Sequence, residues 1–259
     1  MVTCTVVRKL IMLPLGLGNI RGGKTRGTWF LVISLVAVYF YEMSLSPEEL
    51  LKLVYGWGMV PARLWGAVDT GSQAGAPPAI VTVFSSMFLH GGLWHLAGNL
   101  IFLWFFAKVI EGSVGTGRML CLYLVSGIMA ALLEAFFKPS SAIPMVGASG
   151  AVAGLLGAAL VLYPLAMVSI FIPFLFFLGS IRIPMFMFAG LWLLMQVFGL
   201  LGSGSDEVGG TAWWAHIGGF GAGFYIAKKR WLPMLIRKLS PVDDDGWIHP
   251  SDTDARGPC

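Results

Sequence analysis

The residue type best placed for chemistry in this 259-residue sequence is a serine that lies among glycines at the predicted start of a long apolar helix. Gly147 and Gly150 flank Ser149 and leave the space beside its hydroxyl free of side chains. Backbone N–H groups in the first turn of a helix have no partner within that helix, so an oxyanion formed there finds hydrogen-bond donors. The pattern fits a nucleophilic serine, although close packing of small residues in a membrane helix also explains it.

A histidine in a second glycine-rich motif is a candidate general base. His216 is followed by Gly219 and Gly223, at spacings of three and seven residues that put all three on one helix face. That face can pack on the glycines that begin at Gly150, which brings the imidazole to the Ser149 hydroxyl. No carboxylate is expected at this level of the same helices, so the motif predicts a Ser/His dyad with the imidazole oriented by packing.

A third polar motif combines two histidines and an asparagine. His95 and Asn99 are four residues apart and share one face near the start of another apolar helix, while His90 lies in the turn before it. The spacing does not fit a zinc protease, because Gly91 stands where an HExxH motif has glutamate. The cysteines are also widely separated, so neither a metal site nor a cofactor is indicated.

The amino-acid composition indicates whether water or a lipid bilayer surrounds these motifs. Charged residues make up 12% of the chain, about half of the roughly 25% in typical soluble domains. The sequence therefore predicts a polytopic membrane protein with no separate soluble domain. The basic residues form short clusters beside apolar segments and have no aromatic platform with them, so we expect no nucleic-acid partner.

Six apolar segments are long enough to be membrane spans or buried helices. Their predicted ranges are 28–45, 87–110, 118–137, 147–165, 185–201 and 211–227. Residues 46–86 are predicted to be a tryptophan-containing loop at the membrane interface, 166–182 a connecting segment, and 202–210 a flexible loop. Residues 1–27 form a basic tail, 28–230 the membrane domain, and 231–259 an acidic tail that we expect to be disordered. Glu134 and Gln196 are predicted to be interfacial or packing residues.

The distribution of basic residues orients these spans. Up to Lys238, thirteen basic residues lie on the side of the two termini, against Lys52, Arg63 and Lys138 on the other side. The positive-inside rule therefore predicts cytoplasmic termini. The three polar motifs then share one depth, about 10 Å below the outer surface, because each begins an even-numbered span.

Taken together, the motifs resemble those of the rhomboid family of intramembrane serine proteases. The resemblance covers roughly residues 28–230 and includes four patterns in the same order: His-x-x-x-x-His-x-x-x-Asn, Glu-x-x-x-Gly, Gly-x-Ser-Gly and Ala-His-x-x-Gly-x-x-x-Gly. It implies an all-α, polytopic bundle of six transmembrane helices. Two departures concern details: Val81-Thr82 replaces a Trp-Arg pair of some members, and Ala153 replaces a tyrosine against the catalytic ring.

The resemblance assigns a role to each motif residue. Ser149 is the nucleophile and His216 the general base, while the side chains of His95 and Asn99 join the Ser149 N–H in an oxyanion hole. His90 has a structural role. Glu111 matches the inner end of the second span in the family, and glycines near the site support it structurally: Gly147, Gly150, Gly219 and Gly223.

The expected function is endopeptidase cleavage of transmembrane segments of other membrane proteins, near their outer end and through an acyl-enzyme. Its setting is the lipid bilayer, in particular the inner membrane of a bacterium, and its partners are transmembrane substrates. Two other functions stay open: an inactive relative that binds and routes membrane proteins, and a transporter with a polar site between broken helices. The identity of the substrate and the oligomeric state do not follow from the sequence.

Overall fold

The structure, a computed structural model, describes residues 25–68, 76–171, 180–202 and 211–232. Its helices are α1 (Arg26–Ser44), α2 (Pro47–Trp57), α3 (Pro61–Leu64), α4 (Ala79–Ser85), α5 (Leu93–Val114), α6 (Thr116–Phe137), α7 (Ser149–Leu162), α8 (Met185–Gly202) and α9 (Trp213–Ile226). A two-stranded antiparallel hairpin, β1 (Met167–Phe171) and β2 (Ser180–Pro184), separates α7 from α8. The predicted tails and the predicted loop 202–210 lie mostly outside the described residues, and Gly202 is the last residue of α8.

The helical membrane bundle predicted from the sequence is confirmed. The six predicted segments correspond to α1, α5, α6, α7, α8 and α9. Within the described part of the chain, α1, α5, α6 and α8 are long and apolar enough to cross a membrane. Helix α7 has 14 residues, and α9 continues as a short π-helix, Ala227–Trp231. The two shorter helices are those that carry Ser149 and His216.

Helix α7 lies at the centre of the bundle and is buried along almost its whole length. It packs against α5, α6 and α9. Its contact with α9 is made by backbone: a Cβ atom on Gly219 would collide with the carbonyl oxygen of Gly150, and one on Gly223 with that of Gly154. The predicted docking of the two glycine faces is therefore seen in the structure.

The second span begins later than predicted. Residues 86–92 connect α4 to α5, and α5 begins at Leu93 rather than near residue 87. Gly92 explains the difference, since its φ of +150° is a conformation that glycine adopts readily and that lies outside the helical region. His90 therefore lies before the helix, as predicted.

The segment between α1 and α5 is not the continuous loop that the sequence predicted. Ser46 and Glu49 form a reciprocal capping box with Pro47 at the first helical position, so they begin α2. The prediction of a loop from residue 46 onwards is therefore wrong for Pro47–Trp57, where this start signal begins a helix. The segment then pairs with the chain ahead of α7, since Met59 and Met145 exchange N–H···O bonds of 3.0 and 2.8 Å.

The segment 166–182, predicted as a connection between the fourth and fifth spans, contains β1 and the first three residues of β2. The two strands pair from Met167 with Pro184 to Phe171 with Ser180, and residues 172–179 lie outside the described part. The backbone N–H of Met185 donates to Ala166 O at 2.8 Å, which ties the start of α8 to the end of the α7 region.

Candidate active site

Ser149 and His216 are within hydrogen-bond distance. The distance from Ser149 Oγ to His216 Nε2 is 2.8 Å. Ser149 is the first residue of α7, so its own N–H has no acceptor within the helix. His216 lies in the first turn of α9, and the glycine contact between the two helices brings the side chains together. This is the separation at which an imidazole can accept a hydroxyl proton.

His95 and Asn99 approach the same loop from α5. A Cβ atom at Gly147 would lie 2.7 Å from His95 Cε1 and Nε2 and 3.7 Å from Asn99 Nδ2. Gly147 has a φ of +123°, so both its backbone conformation and the adjacent imidazole favour glycine here. Both polar side chains are therefore adjacent to the backbone two residues before Ser149.

Asn99 uses one of the two hydrogens of its side-chain amide in a contact within α5. It is buried, and its Nδ2 donates to the His95 carbonyl oxygen at 3.1 Å. An amide nitrogen carries two hydrogens, so the second can serve another acceptor. The geometry is compatible with the predicted oxyanion role, which stays a prediction.

His90 contacts Glu42 through its backbone and His95 through its ring. Its backbone N–H donates to the Glu42 carboxylate, at 3.0 Å to Oε1, and its Nδ1 lies 3.2 Å from Phe88 O. Its ring meets that of His95 edge-to-face, with centroids 5.3 Å apart. The His90 side chain is buried, so its ring packs against His95 away from solvent.

The other nitrogen of His216 has a partner that the sequence reading did not identify. His216 Nδ1 lies 2.6 Å from Gln196 Oε1. The Trp192 and Trp213 rings also surround the imidazole, at centroid distances of 5.8 and 6.2 Å. The prediction that packing alone orients His216 was therefore incomplete. A single amide in an otherwise apolar span was the available signal, because such a group needs a partner in a membrane.

Glu134 also contacts the site region in a way that the sequence did not reveal. Its Oε2 accepts a 3.0 Å hydrogen bond from Ala215 N, at the start of α9, and its Oε1 lies 3.4 Å from Lys138 Nζ. The carboxylate thus satisfies a free N–H of the first turn of α9, next to His216. Glu134 packs between helices, as predicted, and also holds the start of α9.

Glu111 connects the ends of three helices on the side opposite the site. Its carboxylate accepts hydrogen bonds from Gly27 N at 2.8 Å, Thr28 N at 2.9 Å, Thr28 Oγ1 at 2.7 Å and Thr116 Oγ1 at 2.6 Å. Two of these donors are free N–H groups at the start of α1. Glu111 is therefore placed as a structural residue, remote from Ser149 in the bundle.

No metal site accompanies this arrangement in the described ranges, where no three His, Cys, Asp or Glu side chains group together. The chemistry that the described geometry supports is proton transfer between Ser149 and His216.

The Rhomboid domain model matches residues 77–232, which include Ser149, His216, His95 and Asn99. The chain belongs to the rhomboid family. Membership and the apolar helices together make this rhomboid protein an integral membrane protein.

Curated relatives with rhomboid names are similar to parts of this chain. Rhomboid protease GluP of Bacillus subtilis is 34% identical over 145 residues, which are 56% of this chain and 25% of the relative. RHOMBOID-like protein 4 of Arabidopsis thaliana is 35% identical over 167 residues, 64% of this chain and 36% of the relative. Rhomboid protease GlpG of Salmonella choleraesuis is 25% identical over 111 residues, 43% of this chain and 35% of the relative. The matched regions thus span between 25% and 36% of the length of these relatives.

Proposed function

We propose that this rhomboid protein is an intramembrane serine endopeptidase that uses a Ser149/His216 dyad. The observation that carries the proposal is the 2.8 Å contact between Ser149 Oγ and His216 Nε2, at the start of two buried helices. Two relatives are named rhomboid proteases, which supports the same reaction class. Family membership alone leaves the activity of this chain open, so the dyad is the basis of the claim.

The proposed reaction begins with transfer of the Ser149 hydroxyl proton to His216 Nε2. The serine oxygen attacks the carbonyl carbon of the scissile peptide, and the resulting oxyanion accepts hydrogen bonds from the Ser149 N–H and from the His95 and Asn99 side chains. The imidazolium then returns the proton to the leaving amine, so the peptide C–N bond breaks and an acyl-enzyme remains.

Hydrolysis of the acyl-enzyme completes the cycle. Water adds to the ester carbonyl while His216 takes its proton, and that proton returns to Ser149 Oγ when the ester bond breaks. Water must therefore reach the site. With the predicted topology, it does so from the outer surface, since the basic residues are concentrated on the other side.

The proposed substrates are transmembrane segments with small or helix-breaking residues near their outer end. An intact helix engages its carbonyl groups in internal hydrogen bonds, so a segment that unwinds locally exposes its peptide bonds to Ser149 more readily.

The proposal is tested with purified protein reconstituted in liposomes with a panel of single-span membrane proteins. We expect at least one panel member to be cut within its span by the native chain and left intact by Ser149→Ala. Cleavage that continues in Ser149→Ala would refute the nucleophile. If the native chain bound panel members and cut none, the activity would be that of a binding factor.

A further inference from the structure

Gln196 is a buried amide on a helix that is otherwise largely exposed to lipid. Gln196 is 4% exposed, whereas its neighbour Met195 is 59% exposed and Phe198 is 63% exposed. The amide is buried among apolar side chains, so its hydrogen-bonding groups need partners in the protein. Both partners are visible: Trp192 O and His216 Nδ1.

The first partner determines which way the amide points. Gln196 Nε2 lies 2.8 Å from Trp192 O, a backbone carbonyl that can only accept a hydrogen bond. The amide nitrogen therefore belongs on that side, and the amide oxygen belongs on the side of His216. A flipped amide would place Gln196 Oε1 against the Trp192 carbonyl oxygen, so two hydrogen-bond acceptors would face each other, and it would place Nε2 next to the imidazole.

The amide oxygen in turn determines the tautomer of the imidazole. Gln196 Oε1 only accepts hydrogen bonds, and it lies 2.6 Å from His216 Nδ1, so Nδ1 must carry a hydrogen. In a neutral imidazole Nε2 is then bare, and it is Nε2 that lies 2.8 Å from Ser149 Oγ. This is the tautomer that can accept the serine proton.

We propose that Gln196 is a positioning residue that holds neutral His216 with its proton on Nδ1 and its acceptor nitrogen towards Ser149. The inference rests on the proposed function for its catalytic consequence, although the tautomer itself does not depend on activity. Gln196 acts through His216 and does not touch the reacting atoms. It is placed as the third member of the site, in the position where a carboxylate stands in a Ser/His/Asp triad.

The chemistry of an amide predicts a moderate effect. A neutral oxygen orients the ring and accepts from Nδ1–H, but it stabilises the imidazolium less than a carboxylate does. Loss of one hydrogen-bond partner of a buried group lowers the rate by about 10-fold to 10²-fold. The change should appear in kcat, because Gln196 holds the base and not the substrate.

Two substitutions of Gln196 and one matched control test this role by kinetics in liposomes. Gln196→Leu removes the acceptor and should lower kcat by about 10-fold to 10²-fold, with KM unchanged within about twofold. Gln196→Glu as the protonated acid keeps both contacts, since its hydroxyl donates to Trp192 O and its other oxygen accepts from Nδ1–H, and it should stay within about fivefold of the native kcat. Met195→Leu, next to Gln196 and exposed, should behave as the native chain.

A spectroscopic measurement reads the tautomer without substrate. The chain has four histidines, so ¹⁵N-histidine NMR in bilayers, compared with His216→Ala, isolates the His216 signals. At pH 7 we expect a protonated Nδ1 and a bare Nε2 in the native chain, and a gain of the opposite tautomer in Gln196→Leu. A native His216 with its proton on Nε2 would overturn the proposal.

The two measurements separate this inference from the proposed function. If Ser149→Ala abolishes cleavage while Gln196→Leu matches Met195→Leu in kcat, the positioning role is wrong and the protease assignment stands. If the native chain cuts nothing while the NMR signals report Nδ1–H and respond to Gln196→Leu, the positioning role stands and the protease assignment fails.

Discussion

At the scale of single residues, the proposed chemistry depends on three polar groups in contact along one line: Ser149 Oγ, the His216 ring and the Gln196 amide. The hydroxyl and the amide lie on opposite sides of the ring, 2.8 and 2.6 Å from its two nitrogens. Such a chain works as a unit, because each member sets the protonation state that the next one needs. The effects on kcat of substituting these residues should therefore not be additive.

The dyad is tested by two single substitutions and their combination. Ser149→Ala and His216→Ala should each lower kcat by at least about 10³-fold, and the double variant should be no slower than either one, since the first deletion removes the shared proton transfer. Cleavage assays in liposomes check the rates, and thermal unfolding in detergent checks that each variant is folded. A double variant much slower than both singles would indicate two independent contributions.

Asn99 provides a separate test of the oxyanion hole. Asn99→Ala should lower kcat by about 10²-fold to 10³-fold, the usual effect of removing one such donor, because the Ser149 N–H remains. KM should change little, since the oxyanion forms in the transition state and the tetrahedral intermediate and is absent from the bound substrate. Full activity in Asn99→Ala would leave the amide as a contact between the side chain and the His95 carbonyl alone.

The individual residues were predictable to different degrees. Ser149 and His216 were identified because glycine motifs surround both, and glycine patterns are visible in sequence. The partnership of Gln196 with His216 was not identified, because it depends on how α8 is rotated against α9, and amphipathic periodicity is weak where one helix face meets lipid. The hydrogen bond from Ala215 N to Glu134 was not predicted either, because it depends on how α6 and α9 pack and joins residues that are 81 positions apart in the sequence.

At the scale of elements, the distance between the dyad atoms depends on the approach of α7 to α9. The glycines of the two helices meet backbone to backbone, with Gly219 against Gly150 and Gly223 against Gly154. One added methyl group at this contact must push the helices apart, because carbonyl groups cannot rotate away as flexible side chains do.

Gly219→Ala tests this contact, with Gly221→Ala as a matched control on the same helix. A Cβ atom at Gly219 collides with the Gly150 carbonyl group, whereas one at Gly221 meets no atom within 4 Å. We expect Gly219→Ala to lower the free energy of unfolding by about 1–3 kcal/mol and to abolish most cleavage, because His216 moves from Ser149. Gly221→Ala should keep native stability and rate, and equal behaviour of the two variants would contradict the account of helix docking.

The elements themselves were predicted well where length and apolarity define them and poorly where local signals compete. The six helices were recognised from apolar runs, which are a strong signal in a membrane. The hairpin of β1 and β2 was not predicted as strands, because short apolar segments fit a helix, a strand or a connection equally well. Helix α2 was missed because its capping box follows directly on the end of α1.

At the scale of the whole molecule, the short length of α7 bears on the predicted depth of the site. Fourteen residues span about 21 Å, less than the roughly 30 Å of a hydrocarbon core. An α7 that reached the inner surface would leave Ser149 about 10 Å below the outer one, and the depth predicted from the sequence stays a prediction. The orientation stays a prediction from the basic residues and needs its own test.

Cysteine labelling in intact cells tests that orientation. Ser140 is exposed in the connection after α6, and Cys121 lies near the opposite end of that helix. A membrane-impermeant thiol reagent added outside should label Ser140→Cys and leave the native chain, with Cys4, Cys121 and Cys259, unlabelled until cells are broken. Outside labelling of the native chain with protection of the new cysteine would mean an inverted bundle.

The central claim is that His216 activates Ser149 as a nucleophile, and a covalent probe tests it most directly. We expect a fluorophosphonate, which phosphonylates activated serines with loss of fluoride, to add one adduct to the purified native chain, located at Ser149 by mass spectrometry of its peptides. The adduct should be absent in Ser149→Ala and should form at least about 10²-fold more slowly in His216→Ala. An adduct that forms at the native rate in His216→Ala, or a cleaving native chain that gains no adduct at Ser149, would contradict the account.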